Sequence, residues 1–179
     1  IEDRVPAAYL TNKAWFAGLE FYVNDQVLVP RSPFAELIEN QLRPWIDPDE
    51  VRSVLDLCTG SGCIGIATAF HLPNTVVDLV DISESARGVA HRNLVDYGLE
   101  SRVRAVRSDL FDALQNRRYD VILTNPPYVG ADELAGLPPE YHREPSIGLA
   151  GGNDGLDLVR RILREAPNHM EPAGVSVVE

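Results

Sequence analysis

An acid and three glycines between Val54 and Gly65 have the spacing of a ligand-binding turn. An apolar run ends there in Asp56, and the pattern G-x-G-x-x-G begins at Gly60. Glycines in this pattern let the backbone turn tightly and let a ligand approach without a Cβ in the way. The run before them has strand character and the run after them is helical, so the pattern predicts a strand-to-helix turn that binds a dinucleotide or a related adenosine compound.

Two aspartates favour one class of adenosine compound over another. Asp56 lies four residues before Gly60, where its charge would repel a pyrophosphate and attract a cation. The next predicted strand is followed by Asp81, and an acid at that place can accept the hydroxyl groups of a ribose. The pair therefore favours S-adenosylmethionine, which carries a sulfonium and an ammonium but no phosphate, over NAD.

A rigid polar segment follows a later predicted strand. Residues 119–124 run directly into Asn125-Pro126-Pro127-Tyr128, and two consecutive prolines cannot continue a strand ladder. The side-chain oxygen of Asn125 and the carbonyl oxygen of Pro126 could accept both hydrogens of a planar NH2 group, with the Tyr128 ring against its flat face. Alone, the segment would be an ordinary turn; beside an adenosine site it predicts chemistry on an amino or amide nitrogen.

Strands and helices alternate around these residues. Strands are predicted at 51–57, 75–80, 102–106, 119–124 and 175–178, and helices at 63–72, 84–97 and 156–165, with a short segment at 110–116 and a long loop at 129–152. The alternation predicts an α/β fold with a Rossmann-like, doubly wound, mainly parallel sheet, whose ligands bind at the carboxyl ends of the strands. Asp56, Asp81, Asp109 and Asn125 all fall at strand ends, so we expect them at one edge of the sheet.

The first part of the chain does not follow this alternation. Residues 1–30 show aromatic and β-branched alternation broken at Ala17-Gly18 and Asn24-Asp25, which predicts a β-hairpin or a small meander in which Trp15 is a packing residue. Ser32 is expected to cap a helix at 34–42, and Arg31 just before it is either a surface arginine or a site residue. We therefore divide the chain into a hairpin linker, 1–30, and a ligand-binding domain, 31–179.

Composition limits the expected partners and sites. The 179 residues include 16 Lys and Arg against 27 Asp and Glu, a net charge of −11, so duplex nucleic acid is not expected as a direct partner. Two cysteines, Cys58 and Cys63, are too few for a disulfide framework, and four scattered histidines indicate no metal site. The sequence has no recognisable signal peptide or membrane span, which predicts a cytoplasmic protein without a membrane partner.

Together, the motifs resemble a known family. Asp-x-x-x-Gly-x-Gly-x-x-Gly, Asp81, Asp109 and Asn-Pro-Pro-Tyr resemble the class I S-adenosylmethionine-dependent methyltransferases that modify planar nitrogens. Segments 8–11 and 28–31 and the pattern from Glu144 to Gly155 resemble the HemK family of protein-glutamine methyltransferases. After Arg31 the chain reads Ser-Pro-Phe-Ala, where members that act on peptide release factors carry Pro, an acid, Thr and Glu. The chain is more similar to the branch that methylates a glutamine in the third protein of the large ribosomal subunit.

The resemblance implies a role for each part of the site. Asp56 and the glycines would hold the methionine end of S-adenosylmethionine, Asp81 the ribose, and Asp109 with Leu110 the adenine, while the Asn-Pro-Pro-Tyr segment would hold the glutamine amide. The candidate cofactor-binding residues are Asp56, Cys58, Thr59, Gly60, Ser61, Gly62, Asp81, Ile82, Ser108, Asp109, Leu110 and Asn125, and the candidate catalytic residues are Asn125, Pro126, Pro127 and Tyr128. Family members also carry an N-terminal helical domain and a final β-hairpin, which we expect to be missing or truncated here.

Three other functions stay open at this point. One is glutamine methylation of peptide release factors, and another is methylation of the exocyclic amine of adenine or cytosine, which shares the Asn-Pro-Pro-Tyr chemistry. The third is a nicotinamide-dependent oxidoreductase or a simple nucleotide-binding module, which the glycine pattern alone would favour. The net charge counts against the nucleic-acid substrate, and Asp56 with residues 125–128 counts against the third function.

Overall fold

Seven strands and six α-helices form the regular part of residues 4–179, which are the residues that this computed structural model describes. The strands are β1 (Lys13–Phe16), β2 (Leu19–Tyr22), β3 (Ser53–Leu57), β4 (Val76–Asp81), β5 (Val103–Arg107), β6 (Tyr119–Thr124) and β7 (Met170–Val178). The α-helices are α1 (Ala7–Thr11), α2 (Phe34–Glu39), α3 (Cys63–His71), α4 (Glu84–Asp96), α5 (Ala131–Leu134) and α6 (Asp157–Glu165). Three 3-10 helices lie at Tyr141–Arg143, Ser146–Gly148 and Ala166–His169.

Five parallel strands form the central sheet in the order β5-β4-β3-β6-β7. The chain builds outward from β3 through β4 to β5 and then returns to place β6 on the other side of β3. That return makes β3 and β6 neighbours at a topological switch point, the place where open parallel sheets bind ligands. The sheet confirms the predicted Rossmann-like α/β class, and a separate two-stranded antiparallel hairpin, β1 with β2, is present as predicted.

Apolar side chains cover both faces of the sheet. One core cluster joins α2, α3 and α4 to β3 and β4, and a second joins α6 and residues 110–114 to the opposite face. The central strands are almost continuously apolar because helices bury both of their sides, as parallel sheets require. This burial holds the strand ends that carry the candidate site in fixed positions.

Several boundaries differ from the sequence predictions. α2 ends at Glu39, three residues early, because Gln41 and Leu42 adopt positive φ angles of 55° and 62°. Residues 110–116 form turns and no regular element, while β7 is longer than predicted and carries a register shift where it begins to pair with β6. β7 lies at the edge of the sheet, the position in which its Pro172 can be tolerated.

The N-terminal segment also differs in part. A short helix, α1, precedes the hairpin, and the turn falls at Ala17-Gly18 as predicted. Phe16 and Phe21 are buried, but the expectation that Trp15 packs is wrong, since this side chain is 68% exposed. Alternation in a two-stranded hairpin places every second residue on the open face, and Trp15 falls on that face. Within residues 4–179, none of the helices combines the length and the apolar character needed to span a bilayer.

Candidate functional site

A cavity of about 880 Å³ opens at the carboxyl ends of the central strands. It brings together most of the residues selected from the sequence, namely Cys58, Thr59, Gly60, Ser61, Asp81, Ile82, Ser108, Asp109, Leu110, Asn125, Pro127 and Tyr128. Three of the selected residues, Asp56, Gly62 and Pro126, do not line it. The opposite wall is formed by residues 26–32 and by the loop after β6.

The first two glycines of the pattern, Gly60 and Gly62, have different structural roles. Gly60 lines the cavity with a φ of 56°, and a Cβ built on it would meet no atom within 4 Å, so its surface is open to a ligand. Gly62 has a φ of 84° and caps α3, and a Cβ there would lie 2.9 Å from Ile66 and 3.2 Å from Ala90. Gly62 is therefore needed for the backbone conformation and for packing against α4, while Gly60 leaves room for the ligand.

Asp56 lies behind the turn and not in the cavity. Its side chain is fully buried, and its Oδ2 accepts hydrogen bonds from the Thr59 hydroxyl at 2.5 Å and from the Gly65 amide at 2.8 Å. Burial raises the pKa of this carboxyl to about 7, although the hydrogen bonds from Thr59 and Gly65 lower it. Among the described residues Oδ1 has no hydrogen-bond partner. Asp56 thus fixes the shape of the turn, and one buried acceptor remains unpaired beside it.

Asp81 ends β4 with both carboxylate oxygens directed to backbone amides. Gly60 donates to Oδ2 and Ser83 donates to Oδ1, each at 2.9 Å. Burial raises the pKa of this carboxyl against the effect of those amides. Each carboxylate oxygen has a second lone pair, so Asp81 can still accept two hydroxyl groups from a ligand in the cavity.

Asp109 has a partner that the sequence did not reveal. Nη1 of Arg161, on α6, lies 3.0 Å and 3.2 Å from the two carboxylate oxygens of Asp109. Both residues line the cavity, and Nε of Arg161 also lies 3.7 Å from Glu165. The i, i+4 spacing of Arg161 and Glu165 could have suggested a helical ion pair, but nothing local connects Arg161 to a residue 52 positions earlier.

The Asn-Pro-Pro-Tyr segment follows β6, and three of its residues, Asn125, Pro127 and Tyr128, line the cavity. Asn125 is partly exposed, both prolines are buried, and the Tyr128 ring is 53% exposed. Pro126 does not line the cavity, so the predicted use of its carbonyl as a substrate acceptor has no direct support in the lining. Thr124, just before the segment, donates through its hydroxyl to the Leu57 carbonyl at 3.0 Å, which anchors the exit of β6 to β3.

Glycines after the long loop hold this segment in place. A Cβ on Gly151 would approach the Pro127 oxygen and Tyr128 Cα to 2.7 Å, and one on Gly155 would approach the Tyr128 oxygen to 2.2 Å. Gly151 also donates its amide to the Val129 carbonyl at 2.9 Å. These contacts explain why glycines recur after position 150, since the backbone there lies directly against the segment that would hold the substrate.

Comparison with known proteins identifies the family. Residues 39–135 match the model of the methyltransferase small domain, which is more than half of the chain. The chain belongs to the methyltransferase small domain family. The match spans α3, α4 and strands β3 to β6, the elements that carry the glycine turn and the Asn-Pro-Pro-Tyr segment.

Curated relatives of this methyltransferase small domain protein extend the similarity over the whole chain. The ribosomal protein uL3 glutamine methyltransferase of Francisella tularensis is 52% identical over 177 residues, which cover 98% of this chain and 56% of that protein. The corresponding protein of Bordetella pertussis is 50% identical over 180 residues, which cover 100% of this chain and 60% of that protein. The chain therefore spans somewhat more than half the length of these relatives.

Solved structures support the fold of the methyltransferase small domain. The T. thermophilus 16S rRNA methyltransferase RsmC, in complex with AdoMet and guanosine, superposes with a TM-score of 0.65 at 22% identity, covering 93% of this chain and 40% of that one. The hMettl16 catalytic domain in complex with an RNA hairpin gives a TM-score of 0.66 at 18% identity, covering 86% of this chain and 58% of that one. At these identities the similarity shows the architecture alone.

Proposed function

We propose that this chain forms the catalytic part of an S-adenosylmethionine-dependent methyltransferase that modifies the side-chain amide nitrogen of a glutamine in ribosomal protein uL3. The observation that carries the proposal is one cavity shared by an adenosine-type half, at Gly60 and Asp81, and an amide-binding half, at Asn125 and Tyr128. The names of relatives about 50% identical over the whole chain support the protein substrate.

The residues present fit the proposed cofactor. Gly60 offers an open backbone surface and Asp81 retains lone pairs for ribose hydroxyls, while Asp56 behind the turn has a buried oxygen without a partner within residues 4–179. When bound, S-adenosylmethionine supplies a methyl group already activated by its sulfonium, and S-adenosylhomocysteine is the product. The carboxylate of Asp81 at the rim of the turn favours that cation over a pyrophosphate, whereas Asp56, with a pKa of about 7, is only partly ionised at neutral pH.

The chain itself must raise the reactivity of a poor nucleophile. An amide nitrogen reacts slowly because its lone pair is delocalised into the carbonyl group. The Asn125 side-chain oxygen can accept a hydrogen from the substrate NH2, which returns electron density to nitrogen, while the exposed Tyr128 ring limits the plane in which the amide lies. Because the donor is already activated, such polar contacts and in-line alignment can carry much of the catalysis.

Removing the Asp81 carboxylate should weaken binding of S-adenosylmethionine. We expect Asp81→Ala to cost about 1.5–3 kcal/mol of binding free energy through the loss of charge-assisted hydrogen bonds. Isothermal titration calorimetry with S-adenosylmethionine, and separately with NAD, measures the binding free energy of each ligand. Asp49→Ala, in the exposed loop before β3, is the control and should leave affinity unchanged. Tighter binding of NAD than of S-adenosylmethionine by the wild-type chain would contradict the cofactor assignment.

The protein substrate requires a separate experiment. The protein at its full natural length is incubated with labelled S-adenosylmethionine and with uL3, a peptide release factor and ribosomal RNA in parallel, and mass spectrometry locates the methyl group. We expect the label on a glutamine of uL3, because a basic ribosomal protein is attracted by a chain of charge −11. Label found only on a release-factor glutamine, or on a base of the RNA, would refute the proposed substrate.

A further inference from the structure

The outer wall of the cavity, residues 26–32 together with Tyr141, Pro145 and residues 147–149 of the loop, is held by specific contacts. The Tyr9 hydroxyl donates to the Val27 carbonyl at 2.5 Å, and the Val29 amide donates to Oε2 of Glu144 at 3.1 Å. A Cβ on Gly148 would lie 2.9 Å from Leu28, so the two halves of the wall are also packed against each other. Hydrogen bonds and side-chain packing therefore hold the wall in place.

Arg31 has an unusual place in this wall. Its Nη1 donates to Oε1 of Glu144 at 2.6 Å, and the Glu144 side chain is only 3% exposed, whereas that of Arg31 is 43% exposed. Its guanidinium also lies over the Tyr141 ring, 4.8 Å from the centroid. A buried carboxylate and a ring thus fix the orientation of a planar group that lines the open cavity.

Most of the donors of Arg31 are unused. A guanidinium has five N–H groups, and within residues 4–179 Arg31 makes a hydrogen bond through Nη1 alone. Arg31 and Tyr128 line the same cavity. Burial lowers the pKa of this guanidinium, but Glu144, Tyr141 and Tyr128 outweigh that effect and raise it, so the group stays charged beside the amide-binding half of the site.

We propose that Arg31 is a substrate-positioning residue, which donates through its unused N–H groups to main-chain carbonyl oxygens of the polypeptide segment that carries the target glutamine. The proposal rests on the proposed function, since it assigns how the same site holds a protein chain. Glu144 and Tyr141 orient the guanidinium before the substrate arrives, which lowers the entropy lost on binding.

Neutral carbonyl oxygens fit this position better than an acidic side chain does. Glu144 already balances the charge of Arg31, and Asp109 balances Arg161, the other arginine of the cavity. Glu133, Glu179 and Asp81 also line the cavity and leave it with excess negative charge. A carboxylate on the substrate would be repelled by that charge, while a peptide carbonyl would not be.

Steady-state kinetics with uL3 and the full-length protein test the proposal. Arg31→Lys keeps a cation for Glu144 but loses the planar set of donors, and we expect it to raise KM for uL3 roughly tenfold, and Arg31→Gln roughly tenfold to a hundredfold. The dissociation constant of S-adenosylmethionine and the thermal unfolding midpoint of Arg31→Lys should stay at their wild-type values. Arg143→Gln, one residue before Glu144 and outside the cavity lining, is the matched control and should leave KM unchanged.

The possible results separate a failure of the role proposed for Arg31 from a failure of the proposed function. An unchanged KM in Arg31→Lys and Arg31→Gln, with an active wild-type enzyme, would overturn the role of Arg31 alone. A rise in KM of Arg31→Lys that is accompanied by lower cofactor affinity and a lower unfolding midpoint would show a merely structural ion pair and would overturn it too. A wild-type protein that binds the cofactor but methylates no protein would overturn the proposed function, and the role of Arg31 with it.

Discussion

Asn125→Ala should lower the turnover number of the proposed methyl transfer by roughly two to three powers of ten, the size of effect seen when one preorganised polar contact to a reacting group is lost. The affinity for S-adenosylmethionine should barely change, because the contacts assigned to the cofactor lie mainly on the glycine turn and β4. Single-turnover kinetics together with calorimetric titration separates the two quantities.

The position of Asn125 explains why so large an effect is expected. Thr124 before it is tied to β3 through the Leu57 carbonyl and accepts a hydrogen bond from the Glu179 amide at 3.1 Å. Pro126 and Pro127 after it are buried and have restricted φ angles. The backbone at Asn125 is therefore fixed before the substrate binds, so less energy is spent on placing its side chain during the reaction.

A graded variant makes the test sharper. Asn125→Gln keeps the amide but displaces it by one methylene, so it should lose much of the rate while the protein remains folded. If an Asn125 variant lost its affinity for the cofactor but kept its turnover rate, our assignment of Asn125 to the substrate would be wrong. An Asn125→Ala enzyme with wild-type turnover would equally exclude the proposed role.

Local patterns in the sequence predicted the parts of this site that depend on strand ends. Asp81 and Asn125 could be placed because an apolar strand ends at each of them, and parallel strands bring their carboxyl ends to one edge of the sheet. The glycine turn followed from the same reasoning, since a tight turn between a strand and a helix has few solutions.

Features that depend on contacts between distant residues could not be predicted in this way. Glu144 meets Arg31 across 113 positions, and Arg161 meets Asp109 across 52, with no periodicity that connects either pair. Burial also differs between residues that match the sequence motif equally well. Asp56 and Gly62 match the pattern as well as Gly60 does, yet packing of α3 and α4 against the turn leaves only Gly60 of these three open to a ligand.

Asp56→Asn should become more stable relative to the wild type as the pH rises. In the unfolded chain the carboxyl titrates near 3.8, whereas burial raises its pKa to about 7 in the folded state. The folded state therefore binds this proton more tightly, so the contribution of Asp56 to stability is fully present below about pH 4 and is lost as the pH rises to about 7. The full loss is on the order of 4 kcal/mol, and more than half of it falls between pH 5 and pH 8.

The difference between the two proteins isolates this group from the other titrating residues. Asparagine at position 56 does not titrate, and its different hydrogen-bonding capacity adds a cost that does not depend on pH. Denaturant unfolding of the wild type and of Asp56→Asn at pH 5, 6, 7 and 8 should therefore give a difference in free energy that changes in favour of the variant and levels off above pH 7. A difference that stays constant from pH 5 to pH 8 would mean that the buried carboxyl titrates at its ordinary pKa.

Thr59→Val provides a matched control that keeps the titrating group. The Thr59 hydroxyl donates to Oδ2 and lowers the pKa of Asp56, so its removal should raise that pKa further and move the end of the stability loss to higher pH. A shift toward lower pH would show that the hydroxyl does not stabilise the ionised carboxylate. The same measurement bears on function, because a cation bound in the cavity, on the other side of the turn, would lower the pKa of Asp56 again through its charge. Saturating S-adenosylmethionine should therefore reduce the pH dependence of the wild type more than that of Asp56→Asn, which retains only Asp81 beside the cofactor.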